Sequence, residues 1–300
     1  MRQSRDIRQN SRTTLVDWLH YRALRLRRQF LPHYMASPPG WRLWLRSIGA
    51  ERTLPDFACI GPPKSGTSDL SSYLFQHPCI LPPLSKEIRT PNTNRWRPYY
   101  PTVREKLQVE RQHGKALSGY FLPSLHGHIL MDNYHAAVPD AKIVLLLRNP
   151  VDLAHSHYKQ DLVWAGPNAA NTPYYSSFQN YVDVALDLFP MFAPSYWAGT
   201  PLLQTGIYYK AVELWMDRFG RSNVHIVRSE DFFDDTSSTV CDIHRFLDIP
   251  PIKPELHSIA NASPVKISPM DNDTRQKLQV FYQPWNEKLY NLLGRDLGWG

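Results

Sequence analysis

The sequence predicts an α/β fold of three layers, in which a central parallel sheet is flanked by helices. Short apolar runs alternate with helical patterns along the chain, which is typical of a parallel sheet covered on both faces. Two of these runs end in loops that carry a cationic side chain, Lys64 in the first and Arg148 in the second. With 300 residues, 42% of them hydrophobic, the chain can bury a sizeable core.

The first half of the chain predicts one strand and three helices around an irregular stretch. The apolar residues 57–60 form a short strand that breaks into a Gly/Pro loop, and a helical pattern follows at 67–76. The Pro-rich stretch 77–101 predicts irregular structure. Helical patterns at 103–113 and 126–137 then lead to the second strand.

The second strand, 142–147, is an unbroken apolar run, as expected for a strand buried on both faces. Pro150 follows it and fits the first turn of the next helix, 151–164, because the missing N–H of proline costs nothing there. A poorly patterned segment extends to residue 205, and its aromatic side chains can pack in the core, form a lid or stack on a ligand ring. The remaining predicted elements are a strand at 224–228 and helices at 206–219, 236–247 and 273–293.

Basic charge is concentrated at the N-terminus. Residues 1–52 hold eleven arginines and three acids, which gives +8, whereas the whole chain carries +7. We therefore expect a basic, partly helical arm at 1–53 and a single domain at 54–300. Apolar residues of the arm fall at helical spacing among its arginines, and Trp41-Arg-Leu-Trp-Leu-Arg46 adds a second aromatic and basic patch. Such a helix can lie on an anionic membrane surface or pack on the domain with a solvated arginine face.

The sequence also bounds the compartment. No run approaches the roughly 18 apolar residues of a membrane-spanning helix, and no signal-peptide pattern is seen. The three cysteines, Cys59, Cys79 and Cys241, lack metal-ligand spacing and are odd in number, which favours a reducing compartment over a disulfide framework. We expect a cytoplasmic protein that can associate with a membrane surface through its arm.

The loop 61–68, Gly-Pro-Pro-Lys-Ser-Gly-Thr-Ser, is the most informative stretch of the chain. It follows a strand and precedes a helix, so that its backbone N–H groups, the helix dipole and Lys64 can bind a phosphate together. In the loop that binds nucleoside triphosphates with magnesium, the lysine follows the second glycine. Here Lys64 precedes Gly66, and the magnesium-binding arrangement is not reproduced. The loop therefore predicts a phosphorylated nucleotide, or a chemically similar compound, as the ligand.

Together these motifs resemble those of the sulfotransferases that use 3′-phosphoadenosine 5′-phosphosulfate (PAPS), and most closely the carbohydrate branch of the heparan-sulfate type. The resemblance implies a P-loop-like fold. The resemblance extends from about residue 54 to the C-terminus. Arg148-Asn149-Pro150 with Ser156 is similar to the family's 3′-phosphate site, and Ser156 lies about two helical turns after the strand end. The residues of the 5′-phosphosulfate loop would be Pro63, Lys64, Ser65, Gly66, Thr67 and Ser68. Lys266 would contact the nucleotide from a covering loop before the last helix.

The resemblance also implies the catalytic residues. In sulfuryl transfer the acceptor attacks sulfur in line while negative charge grows on the leaving phosphate, and Lys64 is placed to stabilise that charge. Glu87 matches the position of the general base in the carbohydrate enzymes, and Lys86 beside it would orient donor and acceptor. Histidine is the base in the small-molecule branch, so His126 and His128 remain alternatives.

We therefore predict a PAPS-dependent sulfotransferase that acts on a hydroxyl of a carbohydrate or glycolipid acceptor, with an amine as the alternative acceptor group. It would release adenosine 3′,5′-bisphosphate (PAP) and need no metal. A kinase on a related fold is one alternative, but it usually needs a carboxylate at a strand end, where Arg148 stands. A non-enzymatic binder of anionic surfaces is the other, and it would leave both phosphate motifs unused. We expect no nucleic-acid partner.

Overall fold

A computed structural model of the chain describes residues 38–88, 90, 92–165, 173–191, 201–257 and 267–299. In these parts, five parallel strands form a central sheet in the order β2-β3-β1-β4-β5. The strands are β1 (Phe57–Ile60), β2 (Ile80–Leu81), β3 (Leu117–Leu122), β4 (Lys142–Leu147) and β5 (Val224–Arg228). The predicted parallel sheet flanked by helices is therefore confirmed.

Eleven α-helices lie in the described parts of the chain. In chain order they are α1 (Gly40–Ser47), α2 (Thr67–Leu74), α3 (Val103–His113), α4 (His128–Ala137), α5 (Pro150–Ala165), α6 (Phe178–Leu188), α7 (Leu202–Thr205), α8 (Tyr209–Phe219), α9 (Ser229–Asp234), α10 (Thr236–Phe246) and α11 (Asn272–Leu293). Short 3₁₀ turns at 93–95 and 97–99 interrupt the Pro-rich stretch that was expected to be irregular.

Most predicted elements stand at or near their predicted residues. β1, β4, β5 and α3 have the predicted bounds, and Pro150 is the first residue of α5. A capping box defines the start of α3: the Glu105 N–H donates to the Thr102 side chain, and the Thr102 N–H donates to the Glu105 carboxylate at 2.7 Å. Both orphan donors at this helix end are thereby satisfied.

The sequence did not predict β3, although it is buried along its whole length between β1 and β2. Its segment reads Leu-Ser-Gly-Tyr-Phe-Leu, and the central Ser118-Gly119 pair weakens the apolar pattern. Gly119 is required by packing, because a Cβ there would lie 2.6 Å from the rings of both Phe57 and Phe121. Helix α6 was also missed, in the segment that had no clear pattern.

Both faces of the sheet are covered. Alternate side chains of β4 enter different clusters: Ile143 and Leu145 pack with Tyr120 and Trp215, whereas Val144 packs against the other face. This alternation explains why β4 reads as a continuous apolar run, since neither face meets water.

A third apolar cluster lies between α5, α6 and α11. Its aromatic side chains include Tyr175, Phe178 and Tyr181, all buried, and Tyr181 donates a 2.9 Å hydrogen bond to the Asp161 carboxylate. These aromatics are core residues rather than a ligand platform. Trp197, the arm residues 1–37 and Lys266 lie outside the described residues. No helix that the structure describes combines the length and apolarity needed to cross a membrane.

Candidate active site

The loop between β1 and α2 leaves the carboxyl end of an inner strand. Gly61 is the first residue of this loop, and no side chain fits at its position. A Cβ there would lie 2.6 Å from the Leu146 carbonyl oxygen and from Ser65 Oγ. Lys64 has a φ of 72° and Gly66 a φ of 99°. A lysine in the left-handed region is strained, so its backbone must be held by its surroundings.

Arg148 provides part of that hold. Its Nη1 donates a 2.9 Å hydrogen bond to the main-chain carbonyl of Lys64. Arg148 is itself fixed at the end of β4, because the Tyr208 hydroxyl donates to its carbonyl at 2.8 Å. The two loops with cationic residues therefore meet, as the parallel arrangement of β1 and β4 predicted.

The first turn of α2 offers backbone donors to a ligand. Gly66 is the N-cap residue and supplies no side-chain cap. The first N–H groups of a helix have no acceptor within it, so those of Thr67 and Ser68 can bind an anion at the positive end of the helix dipole. The buried Pro63 helps to shape the approach to this turn.

Ser65 has a structural place in the loop. Its hydroxyl donates to the Pro62 carbonyl at 2.8 Å, and its N–H donates to the same oxygen at 3.3 Å. The buried Ser229 hydroxyl lies within hydrogen-bond distance of two carbonyl oxygens, 2.6 Å from that of Ser65 and 2.9 Å from that of Leu147. Ser229 thereby ties the loop to the end of β4.

Helix α5 brings further polar groups to the loop. Gln160 Oε1 accepts a 3.4 Å hydrogen bond from Lys64 Nζ. Ser156 is half-buried one turn earlier on the same helix, and residues four apart share a helix face. This spacing directs Ser156 towards the side of the helix that faces the loop.

The site is rich in positive charge. Burial lowers the pKa of Lys64, and the neighbouring Arg148 and, more weakly, Lys159 lower it further, while Asp69 opposes the shift. An anion that binds beside Lys64 would favour its charged form and oppose this lowering of the pKa. The electrostatics therefore favour a polyanionic ligand.

Lys86 and Glu87 lie next to the first turn of α2. Lys86 is 1% exposed, donates a 2.8 Å hydrogen bond to Ser68 Oγ and forms a 3.5 Å ion pair with Glu87 Oε1. Burial lowers the pKa of Lys86, and Glu87 opposes that shift. Ser68, Lys86 and Glu87 thus form a chain of polar contacts from the loop to a carboxylate that retains some solvent access.

The two alternative bases, His126 and His128, have no described contact with the loop that carries Lys64. The His126 ring has its Nε2 3.3 Å from the Thr205 carbonyl, and His128 is an exposed residue at the start of α4. Among the described residues, no group of His, Cys, Asp and Glu side chains is arranged to hold a metal ion.

The sequence profile of the sulfotransferase domain matches residues 54–285. The chain belongs to the sulfotransferase family. This confirms the family that the two phosphate motifs indicated and identifies the protein as a transferase.

Several named enzymes are similar to this sulfotransferase. A membrane-associated sulfotransferase, kil1, of Dictyostelium discoideum is 24% identical over 82% of this chain and 66% of its own length. The mouse heparan sulfate glucosamine 3-O-sulfotransferase 6 is 25% identical over 88% of this chain and 81% of its own. Human carbohydrate sulfotransferase 15 is 24% identical over 82% of this chain, which spans only 54% of that enzyme.

A crystal structure supports the same fold. The sulfotransferase from Alicyclobacillus acidocaldarius is 25% identical and superposes with a TM-score of 0.58, covering 82% of this chain and 99% of that one. The P-loop-like architecture predicted for this enzyme is therefore confirmed.

Sequence reasoning missed two residues that shape the site, Gln160 and Ser229, and it missed the contact of Tyr208 with Arg148. Gln160 could have been found from its spacing, since it stands four residues after Ser156 on a predicted helix. Ser229 and Tyr208 act through contacts to residues 164 and 60 positions away, for which the sequence carries no local signal.

Proposed function

We propose that this sulfotransferase moves a sulfuryl group from PAPS to a hydroxyl, rather than an amine, of a carbohydrate or glycolipid acceptor. The observation that supports the proposal is the hydrogen bond between Arg148 and the Lys64 carbonyl, because the loop of Lys64 and the strand end of Arg148 are in contact there. A donor with phosphates at its 3′ and 5′ ends is the ligand that such a pair fits. A kinase would leave the second cation without a partner.

The donor would be bound at both ends. The N–H groups of the loop, the hydroxyls of Thr67 and Ser68, and Lys64 would bind the 5′-phosphosulfate. Arg148 and Ser156 would bind the 3′-phosphate. Pro63, Ser65 and Gly66 would fix the loop's shape, and Lys266 would contact the nucleotide from the covering loop. We propose that no metal takes part, since Lys64 and Lys86 supply the positive charge.

The chemistry follows from this arrangement. Glu87 takes the proton from the acceptor hydroxyl, whose oxygen forms a bond to sulfur. The bond from sulfur to the bridging oxygen breaks on the opposite side, and the released PAP carries the negative charge away. Lys64 stabilises that charge as it develops. Lys86 holds Glu87 and Ser68 in place, because it contacts both side chains.

The acceptor class rests on relatives. The names of the mouse and human enzymes specify heparan sulfate glucosamine and carbohydrate as their substrates. For this chain we propose a carbohydrate or glycolipid, modified in the cytoplasm by a domain at 54–300, with the arm at 1–53 making peripheral membrane contact. The relative described as membrane-associated supports that last point.

Binding of PAP against ATP with magnesium tests the donor. We expect calorimetry to show PAP bound at least about a hundredfold more tightly, because its 3′-phosphate meets a charged donor. Tighter binding of ATP with magnesium would support the kinase, and binding of neither would contradict an enzyme at this site. A labelled-sulfate assay with sugars offering free hydroxyls, free amines or both then tests the acceptor. Transfer to amines alone would overturn the hydroxyl assignment.

A further inference from the structure

Helix α1 presents its apolar side to solvent. Trp41 is 65% exposed and Trp44 61% exposed, and Leu45 and Ile48 are exposed as well. These positions follow the i, i+3, i+4, i+7 spacing of one helix face. We call these four residues the tryptophan stripe. A stripe of this spacing normally faces a core, so its exposure indicates a surface that receives a partner.

The opposite side of α1 is basic and faces the domain. Arg46 Nη2 donates a 2.8 Å hydrogen bond to the Tyr100 carbonyl. Arg52, just after the helix, donates to the same carbonyl from Nη1 at 2.7 Å and to the Arg46 carbonyl from Nε at 3.0 Å. These contacts clamp the helix to the 97–100 turn. The stripe is therefore held outward by arginine contacts to the domain.

The stripe has basic neighbours in the structure and in the sequence. A cavity of about 570 Å³ begins at Ala50, two residues after the stripe, and Arg104 and Arg111 of α3 line it together with Glu51. In the sequence, residues 1–37 precede the stripe and contain eight arginines against Asp6 and Asp17. This excess of basic residues favours a partner that carries negative charge.

We propose that the tryptophan stripe docks the domain on an anionic lipid bilayer, an inference that rests on the membrane contact proposed above for residues 1–53 and assigns it to named side chains. Tryptophan rings favour the membrane–water interface, where their indole N–H stays near the polar groups, and aliphatic side chains beside them enter the acyl region. Anionic headgroups can pair with Arg104 and Arg111, which lie near the stripe. A second copy of the chain fits less well, because a stable interface buries about 800 Å² on each partner and the two basic surroundings would repel.

The docked surface connects to the active site through the turn that carries α1. The Tyr99 carbonyl accepts a 2.6 Å hydrogen bond from the Leu84 N–H, and the Trp96 indole donates to the Thr90 carbonyl at 2.8 Å. Leu84 and Thr90 lie on either side of the Lys86–Glu87 pair. The turn at 96–100 therefore contacts both helix α1 and the residues on either side of the proposed base, Glu87.

Sedimentation with lipid vesicles tests the proposal on the full chain. We expect binding to vesicles of phosphatidylcholine and phosphatidylglycerol in equal parts, and much weaker binding to phosphatidylcholine alone. The double variant Trp41→Ser/Trp44→Ser should bind the anionic vesicles at least about tenfold more weakly. Val280→Ser, which alters an equally exposed apolar residue on α11, is the matched control and should bind normally. Thermal unfolding by circular dichroism and PAP binding should be unchanged in both variants.

Each other outcome overturns the proposal. Equal vesicle binding by the double variant and the wild-type chain would place lipid contact elsewhere. A wild-type dimer that the double substitution dissociates would make the stripe an interface between copies. A wild-type chain that binds neither kind of vesicle would show that the stripe does not dock on lipid. Vesicle binding requires no donor, so failure here is distinguishable from failure of the sulfotransferase proposal.

Discussion

The guanidinium of Arg148 donates a hydrogen bond to the main-chain carbonyl of Lys64, although 84 residues separate them in sequence. The contact supports a strained loop residue and sets two cations side by side. Arg148 therefore affects Lys64 in two ways: it holds the backbone of Lys64, and its charge lowers the pKa of the Lys64 side chain.

Removal of Arg148 should abolish discrimination for the 3′-phosphate. The wild-type chain should bind PAP more tightly than adenosine 5′-phosphate, and Arg148→Ala should lower the PAP affinity by about 10- to 100-fold, because a hydrogen bond to a charged group is lost. Calorimetry with both nucleotides measures the difference. Arg245→Ala removes an exposed guanidinium and is the control. An unchanged preference in Arg148→Ala would place the 3′-phosphate elsewhere.

The affinity for the donor should begin to fall at a lower pH than it would if Lys64 had the pKa of an ordinary lysine. The pKa of Lys64 lies below its usual 10.5, so the free protein loses this proton as pH rises through the lowered value. Binding needs the charged form, and affinity should fall about tenfold per pH unit above that pKa. Lys64→Arg stays protonated and should extend PAP binding to higher pH.

Titrations from neutral pH to about pH 10 compare Lys64→Arg with Lys253→Arg, a substitution on an exposed loop. If the PAP affinity falls in the same way at high pH in Lys64→Arg, in Lys253→Arg and in the wild-type chain, another group controls this pH dependence.

Glu87→Gln should separate catalysis from binding. Loss of a general base lowers turnover by about 10²- to 10⁴-fold, while PAP binding should stay within about twofold because the amide can still contact Lys86. Glu110→Gln, on the exposed side of α3, should behave as the wild-type chain. Normal sulfate transfer by Glu87→Gln would reject this base, and His126→Gln would be the next variant to assay.

Acid should destabilise the fold through His244. Burial and the neighbouring His77 lower the pKa of His244 to about 4, and the Ile252 N–H donates to its Nδ1 at 3.3 Å. The unfolded chain binds this proton below about pH 6.5 and the folded chain does not, so stability is lost as pH falls from there to about pH 4.

His244→Asn removes the titrating ring and should reduce that acid-induced loss by about 2 kcal/mol, measured by urea unfolding at neutral pH and near pH 4.5. His135→Asn provides the comparison on a different helix. Equal acid sensitivity in His244→Asn and the wild-type chain would assign the effect to other groups.

Strands that are written as unbroken apolar runs were predictable, because such a run admits one interpretation. β4 is the clearest case, and its end at Arg148 indicated half of the candidate site. β3 was not predictable, because its apolar pattern is interrupted by Gly119. This glycine is required by the close packing of two phenylalanine rings, which the local sequence does not reveal. The partners of Ser229 and Gln160 are likewise set by tertiary contacts. The aromatic patch near Trp41 was visible in sequence, but its outward direction depends on where Arg46 finds an acceptor.

β1 pairs with β3 on one side and with β4 on the other, so the loop that carries Lys64 begins at the middle strand of the sheet. Fraying at either edge leaves that strand in place. Amide hydrogens of β1 should consequently exchange with deuterium only through global opening. Heat inactivation of this enzyme should then coincide with melting of the whole domain, and a preparation that keeps its secondary structure should also keep its turnover.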